Sequence, residues 1–521
     1  MTQPQYARPG TLWYVCDGYI WDRHAAEYRR EGGRPLECSS QLFLFNPQKC
    51  PAAVTVRFYH VDREPTSLSR TVAPGEIRRL ELAGLAEVPH RQAFWIEVAS
   101  DVPILPQARH EDHTFWDPVP DAIASVAPYP GPLADETEWV LVDCFNGDCG
   151  SWFERETITV LNPGDRPAEV HVRYLQRVQD LGAEERLTIP PRRVLNLDSH
   201  ERPVRVLGMP NGLQVRLMQE FTVHIRASEP VVCQTTRRAR WTGFQEIIGS
   251  RSKMGVPLRR PLPAEWYYPG GELVDVGILP KAAEDGPPWA HVDRTWNLLF
   301  THNLSVDRPA DATVTFHKAG GRSSGEGIQI APAKTRLDWL LAKPWLGTHL
   351  AVNEPYAMTV RSDSPVVPAV CGAEFEMWSQ VCPGAMTATH FYPGPLTEER
   401  VWWLGIDQAG GNDDCNVERR LTWHLFNPGA EAARVELSFL GLGAGGPKPV
   451  VRVVGPGAVA VVRDKDVAGL ATDRPFAVVA RGDRQFCAQT TGRALTRGLP
   501  HTRAMYSAMG VPMRIEKTND E

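Results

Sequence analysis

The sequence has little of several features that mark specialised classes of protein. Its ten cysteines form no CxxC pair, which argues against a zinc ribbon or a thioredoxin-type site. Lysine and arginine number 56 against 62 acidic residues, with no long basic run, so the charge typical of a nucleic-acid-binding surface is absent. No uncharged apolar run approaches the ~20 residues of a membrane-spanning helix. We expect most cysteines to be buried, reduced thiols.

Common catalytic and targeting motifs are also missing. The sequence contains no GxSxG, no P-loop, no HExxH and no GxGxxG preceding a helix. Its first residues lack the basic segment and apolar run of a secretory signal. We therefore expect a cytoplasmic protein with no cofactor, no nucleic-acid partner and no membrane insertion.

The composition and pattern favour an all-β protein. The chain has 521 residues, enough for three to four domains of roughly 150 residues each. Its 45 prolines and 43 glycines are spread along the chain, which is typical of many short strands and turns. Helical periodicity is scarce, so we predict antiparallel β-sandwich or jelly-roll domains.

A conserved-looking arrangement of strand and asparagine recurs along the chain. After the first asparagine, apolar residues alternate at Val54, Val56 and Phe58, which is the period of a β-strand. Three of the four asparagines precede proline, so we interpret the series as turn-forming and structural. The asparagines that close an apolar run are Asn46, Asn162, Asn303 and Asn427.

Two further signatures show how the copies are related. YPGPL occurs at 129–133 and again at 392–396, which pairs the first copy with the third. SKMGVPLR at 252–259 matches SAMGVPMR at 507–514, which pairs the second copy with the fourth. The simplest account is a duplicated pair of domains in the order A-B-A′-B′. The four predicted domains, called units one to four below, span residues 10–133, 138–262, 265–397 and 400–514.

Unit one resembles a known family. The motifs CDGYIWD, LFLFNPQ, VRFYHVDREP and SDVPILPQARHED occur in it in the order found in the Anabaena sensory rhodopsin transducer family. The resemblance implies a compact β-sandwich that assembles as a tetramer, and a small-molecule-binding module from a superfamily associated with sugars or related metabolites. It implies no particular reaction. Four linked copies would then close into a pseudo-tetramer within one chain.

An acidic residue follows an apolar strand four times, at spacings of 126, 132 and 132 residues. Such a carboxylate can accept hydrogen bonds from sugar hydroxyls or bind a cation. The alternative is a turn in which it bonds nearby backbone N–H groups. In a ring of four units the series would converge on one axis or recur at four clefts. These candidate ligand-binding residues are Asp17, Asp143, Asp275 and Asp407.

A polar segment that differs between the unit types ends a late strand of each unit. Loops and strand ends on a rigid sandwich often carry binding residues. Trp116 and Trp378 offer an apolar platform for a sugar face, with burial in the core as the equal alternative. The polar candidates for hydrogen bonds to a ligand are Gln107, Arg109, Glu111, Gln234 and Gln489.

The segment from His110 to His113 also offers imidazole and carboxylate ligands for a metal. Neighbouring side chains of a strand point to opposite faces, so at most alternate members converge unless the segment turns. No other copy repeats the cluster. We predict no metal site.

We predict a protein that binds a carbohydrate or related polar metabolite at strand-end or interdomain clefts. One alternative is a glycoside hydrolase or lyase that pairs Asp17 with Glu111, or Asp143 with Glu154, at a separation of ~5–10 Å. A second alternative is a non-catalytic signalling or structural adaptor, which would expose an apolar patch. Further pairing of chains stays open.

Overall fold

The computed structural model confirms the all-β fold. The residues it describes form 39 β-strands and two 3₁₀ helices, Leu82–Gly84 and Asp464–Asp466. In this part of the chain no helix is long and apolar enough to span a membrane. The structure describes residues 10–19, 37–90, 92–113, 122–148, 152–177, 182–199, 204–206, 214–215, 219–241, 247–258, 261–273, 295–340, 350–351, 353–375, 383–412, 417–443, 446–470, 474–496 and 502–513.

Unit one is a sandwich of two antiparallel sheets. Its strands are β1 (Leu12–Tyr19), β2 (Glu37–Phe45), β3 (Ala52–Tyr59), β4 (Thr66–Val72), β5 (Ile77–Glu81), β6 (Ala93–Ser100), β7 (Leu105–His113), β8 (Ala122–Val126) and β9 (Tyr129–Pro130). One sheet has the order β4-β3-β6-β1-β9, and the other has the order β5-β2-β7-β8. On β3, Val54, Val56 and Phe58 are buried, as the alternating pattern predicts.

Unit two has the same two layers, but they are joined. Its strands are β10 (Glu138–Asp148), β11 (Trp152–Asn162), β12 (Ala168–Gln176), β13 (Gly182–Ile189), β14 (Arg193–Asp198), β15 (Val204–Val206), β16 (Gln214–Val215), β17 (Gln219–Ala227), β18 (Val232–Trp241), β19 (Ile247–Met254) and β20 (Val256–Pro257). At one end β10 pairs with β11, so the two layers form one continuous 11-stranded sheet.

Units three and four repeat the arrangement of unit one. Unit three has β21 (Glu265–Glu272), β22 (Thr295–Asn303), β23 (Ala310–Lys318), β24 (Ser323–Ile330), β25 (Thr335–Leu340), β26 (Pro355–Ser362), β27 (Val366–Phe375), β28 (Pro383–His390) and β29 (Tyr392–Pro393). Unit four has β30 (Val401–Asp407), β31 (Gly410–Asn412), β32 (Val417–Asn427), β33 (Ala433–Leu440), β34 (Val450–Val454), β35 (Ala458–Arg463), β36 (Phe476–Gly482), β37 (Cys487–Thr496), β38 (Thr502–Met509) and β39 (Val511–Pro512). We propose that these four sets of sheets are the four predicted domains.

The asparagine series has the predicted structural role. In unit two, the Asn162 amide donates to the carbonyl oxygens of Arg166, Ile189 and Pro190, and its Oδ1 accepts from the Gly164 N–H. Equivalent bonds hold Asn46, Asn303 and Asn427, which are likewise buried. Each asparagine thus fixes a turn after the strand that it ends.

We expect Asn162→Ala to lower the free energy of unfolding by about 1–3 kcal/mol, because buried backbone groups lose their partners. Urea denaturation followed by circular dichroism measures this change. Asn196→Ala serves as the control, since the half-buried Asn196 side chain has one long bond, of 3.4 Å, to Thr159. Equal losses in both variants would contradict the special role of Asn162.

A buried tryptophan gives the register of the four units. Each one pairs with the proline of the unit's last short strand. In unit three this position belongs to Trp266, which is 127 residues after Trp139. The backbone bulge that holds Asp143 in unit two therefore falls at Gly270 in unit three, and Asp275 lies outside the described residues. The four tryptophans are Trp13, Trp139, Trp266 and Trp402.

The hydrophobic cores join one unit to the next. Tyr14, Tyr59 and Trp95 of unit one pack into the core of unit two. Unit two inserts Val140 and Val142 into the core of unit three. The other two contacts have the same form, with Tyr267 and Tyr392 of unit three in unit four, and Trp403 and Ile406 of unit four in unit one. We propose that this closed cycle of contacts is the pseudo-tetramer.

Equivalent positions at these seams carry different side chains. Just before the conserved turn of unit one, Phe45 stacks on Trp403 of unit four, with ring centroids 5.7 Å apart. The same position in unit three is His302, whose Nε2 lies 2.9 Å from Nε2 of His224 in unit two. In unit four it is Phe426, which packs against His317 of unit three.

Most of the cysteines in the described part of the chain are buried, as expected. Cys144, Cys233, Cys371 and Cys487 are buried free thiols, whereas Cys50 is exposed. Burial raises the pKa of Cys371 to about 11, so this thiol is protonated at neutral pH.

Candidate functional site

Strand β7 carries polar side chains toward unit four. Gln107, Arg109 and Glu111 share one face of the strand because they alternate along it. Arg109 Nη2 donates to Asp407 Oδ1 at 2.6 Å. Glu111 accepts two hydrogen bonds from Arg419, at 2.8 and 2.9 Å. The structure thus brings Arg109 and Glu111 of unit one to the acidic strand end of unit four.

The Gln107 side chain fixes the backbone at this contact. Its Oε1 accepts a hydrogen bond from the Ile406 N–H, and its Nε2 donates to Ser125 Oγ at 2.8 Å. Gln107 is therefore bonded within the protein on both sides of its amide. It positions β30, and the side chain is nearly fully buried.

Asp407 is the most deeply buried acid of this group, with 1% of its surface exposed. Its Oδ1 accepts hydrogen bonds from Arg109 and from the hydroxyl of Tyr506. Its Oδ2 has no hydrogen-bond partner among the described residues. Burial raises the pKa of Asp407, and this effect outweighs Arg109 and the Tyr506 hydrogen bond, which lower it.

Arg109 has one free donor in the same place. Its Nε makes no hydrogen bond in the described part of the structure and lies 4.0 Å from Glu111 Oε1. Its guanidinium carbon lies 5.4 Å from the centre of the Tyr506 ring. We call this group, formed by Gln107, Arg109, Glu111, Asp407 and Tyr506, the Asp407 site.

The opposite face of β7 forms a separate chain of hydrogen bonds. Ser40 Oγ lies 2.7 Å from His110 Nδ1, and His110 Nε2 lies 2.9 Å from Asp112 Oδ1. Glu111 lies on the other face, and the side chain of His113 is outside the described residues. The segment therefore does not converge on one point, and the described residues contain no group of three or more metal-ligating side chains.

Unit two holds a second buried charged cluster, around Asp143. The backbone bulge in β10 gives Asp143 a φ of 62°, and its carboxylate faces three cations. The nearest nitrogens are Arg251 Nη2 at 2.9 Å, Lys253 Nζ at 3.2 Å and Arg237 Nη2 at 3.3 Å. Burial alone would raise the pKa of Asp143, but the three cations lower it to about 2.

The proposed catalytic pair of Asp143 and Glu154 meets at one arginine. Arg237 bonds Asp143 and also Glu154 Oε2, at 3.2 Å, and Glu156 Oε2, at 2.8 Å. All three carboxylates are buried inside unit two. The pair thus lies around a guanidinium instead of across an open cleft. The other proposed pair is untested, because the side chain of Asp17 in β1 is outside the described residues.

Two glutamines of the predicted set occupy equivalent places in units two and four. Gln489 Nε2 donates to the Gly270 carbonyl of unit three at 2.7 Å and to Ser507 Oγ at 2.9 Å. Gln234 Nε2 donates to Thr236 Oγ1 at 3.3 Å. In both, Oε1 has no hydrogen-bond partner within the described structure. Trp116 and Trp378 lie outside the described residues.

Tyr506 is the site residue that the sequence reasoning missed. It immediately precedes the SAMGVP segment of unit four, and Arg251 precedes the matching SKMGVP segment of unit two. Both bond the acidic residue at the end of their unit's first long strand, Asp407 and Asp143. The shared signature marks this position, although the two residue types differ. Arg419 has no such signal.

The comparison of unit one with known families is decisive. Residues 10–119 match the Anabaena sensory rhodopsin transducer family. The match confirms the resemblance of unit one to the transducer family. No curated protein matches the chain.

Two solved structures are similar to part of the chain. The Anabaena sensory rhodopsin transducer is 22% identical, with a TM-score of 0.16, and the alignment covers 20% of this chain and 91% of the transducer. The structure of Thermotoga maritima 1070 is 17% identical, with a TM-score of 0.19, over 26% of this chain and 97% of the other.

Proposed function

We propose that the protein binds a small, hydroxyl-bearing metabolite, such as a carbohydrate or polyol, at the Asp407 site. The observation that carries this proposal is the buried Oδ2 of Asp407, which has no hydrogen-bond partner among the described residues. A carboxylate oxygen left without a donor in the interior is costly, so a ligand that supplies one gains affinity.

The neighbouring groups indicate what kind of ligand fits. Asp407 Oδ2 is a free acceptor, and Arg109 Nε is a free donor. A hydroxyl group both donates and accepts, so one hydroxyl can serve both. Arg109 is paired with Asp407, and Arg419 with Glu111, so the ion pairs are already balanced. This balance favours a neutral ligand over a charged one.

The adaptor alternative is less well supported by the surface. The described residues expose three large apolar side chains, Val61, Val306 and Val453, in three different units. Single exposed apolar side chains of this kind are normal on soluble proteins. Binding of a metabolite accounts better for the buried polar groups.

We expect Asp407→Asn to weaken binding about 10- to 100-fold, because the variant replaces a charged acceptor with a neutral amide. Isothermal titration of the full chain with a panel of neutral sugars, polyols and sugar acids measures the affinity. Asp62→Asn is the matched control, since Asp62 is exposed and far from the site in sequence and bonds Gln92.

Two results would count against the proposal. One is a wild-type protein that binds no member of the panel. The other is an Asp407→Asn variant that binds as tightly as wild type while its circular dichroism is unchanged. Formation of product from a bound glycoside by the wild type would favour the enzyme alternative instead.

A further inference from the structure

We propose that the chain has a second ligand site, a cavity between all four units that takes a small, uncharged, apolar molecule such as a benzene-sized aromatic. This axial cavity has a volume of about 190 Å³. It is separate from the Asp407 site and shares no residue with it. The proposal therefore does not depend on the proposed function.

The walls of the axial cavity come from equivalent parts of the four units. Strands β8, β19, β28 and β38 contact one another in a closed cycle, β8 with β19 and β38, and β28 with the same two. The segments at the ends of these strands line the cavity. They are residues 125 and 127–130, 252–257, 388–393 and 507–512.

Apolar side chains dominate the lining. Met254 and Met509 occupy matching positions in units two and four, and Phe391 and Trp266 add aromatic surface. Methionine sulfur makes favourable contacts with aromatic rings and adapts to irregular shapes. This lining suits an aromatic ligand better than a sugar, because most hydroxyls of a sugar would find no partner there.

The two ionisable side chains at the cavity do not offer a free charge. Lys253 Nζ is bonded to the carbonyls of Val142 and Asp143 and to the Asp143 carboxylate. His390 is neutral, because burial and the nearby Lys253 lower its pKa to about 3. A charged ligand would therefore lose its hydration without gaining an ion pair.

The size of the cavity sets the scale of the ligand. An engineered apolar cavity of about 150 Å³ in another protein stays dry and binds benzene or xenon. Well-packed interiors contain few voids larger than a water molecule. A space of 190 Å³ bounded by four independent segments is thus large enough for one aromatic ring with a small substituent.

Thermal denaturation and isothermal titration of the full chain with benzene, indole, benzoate and glucose test this proposal. We expect benzene and indole to raise the melting temperature in proportion to the logarithm of their concentration above Kd, and benzoate and glucose to leave it unchanged. Ala127→Phe, which fills the cavity from unit one, should weaken benzene binding at least 10-fold. Ala432→Phe, at an exposed loop position, should not change it.

A second filling variant guards against a failure of the first to fold. Ala508→Leu adds less volume from unit four and should also weaken benzene binding. The proposal is overturned if neither benzene nor indole binds the wild-type protein. It is also overturned if a folded filling variant binds benzene as tightly as wild type, or if benzoate binds as tightly as benzene.

Discussion

Replacing Asp143 with alanine is expected to lower the free energy of unfolding by about 3–5 kcal/mol. Its carboxylate faces Arg237, Arg251 and Lys253, and all four side chains are buried. Removal of the acid leaves three buried cations with fewer compensating charges, since only Glu154 and Glu156 remain bonded to Arg237. Urea denaturation monitored by circular dichroism and tryptophan fluorescence measures the loss.

An exposed ion pair provides the control for this prediction. Asp165 bonds Arg192 at the surface, and 76% of its side chain is exposed. Asp165→Ala should therefore cost less than about 1 kcal/mol. The double variant Asp143→Ala, Lys253→Met should regain part of the loss, because it removes one unpaired cation. A loss below 1 kcal/mol for Asp143→Ala would show that water reaches these cations.

Acidification is expected to destabilise the protein strongly between pH 6.5 and pH 5. Burial lowers the pKa of four described histidines, to about 4 in His224, to about 3 in His390 and His424, and well below its usual value in His302. The unfolded chain, with histidines near 6.5, then binds more protons than the folded chain. Stability is therefore complete above pH 6.5 and falls as the pH drops toward the folded pKa values.

Each such histidine contributes a loss of about 2 kcal/mol at pH 5 relative to pH 7, from 1.36 kcal/mol for each pH unit below 6.5. The buried carboxylates Asp407 and Glu154 have raised pKa values and act in the opposite direction, but only near pH 4 and below, where ordinary carboxylates titrate. Urea denaturation at pH 7, 6 and 5 measures the combined effect.

His424→Phe tests the assignment to individual histidines. His424 pairs with Gln489 in unit four as Phe43 pairs with Gln107 in unit one, so phenylalanine already occupies the equivalent position. The variant should lose about one proton's worth of pH dependence and retain the fold. His171, which is partly exposed and bonded to Glu184, is the control position for a phenylalanine substitution. An unchanged slope in His424→Phe would be evidence against the prediction.

Local patterns in the sequence were sufficient to predict the strands and their turns. Alternation at Val54, Val56 and Phe58 gave the buried face of β3, and each asparagine that closes an apolar run makes the same set of backbone bonds. These features depend on neighbours within about 30 residues. The resemblance of unit one to the transducer family rests on the same kind of local motif.

The candidate site could be predicted only in part, because its partners are distant in sequence. Arg109 and Asp407 were both candidates, yet their contact joins residues 298 positions apart. Tyr506 was missed for the same reason. Asp275 was placed in the acidic series by an even spacing, whereas the buried tryptophans show that insertions shift the register of unit three. Periodicity cannot detect such shifts when strands differ in length.

The unlike side chains at the seams give a covalently linked chain a freedom that an assembly of identical subunits lacks. In a homotetramer, one codon change alters all four contacts together. Here the histidine pair of His224 and His302 occurs at one seam, while stacked aromatic rings occupy the matching place between units four and one. Protonation can therefore weaken one junction of the ring and leave the others closed, so that the assembly would open at a single defined point.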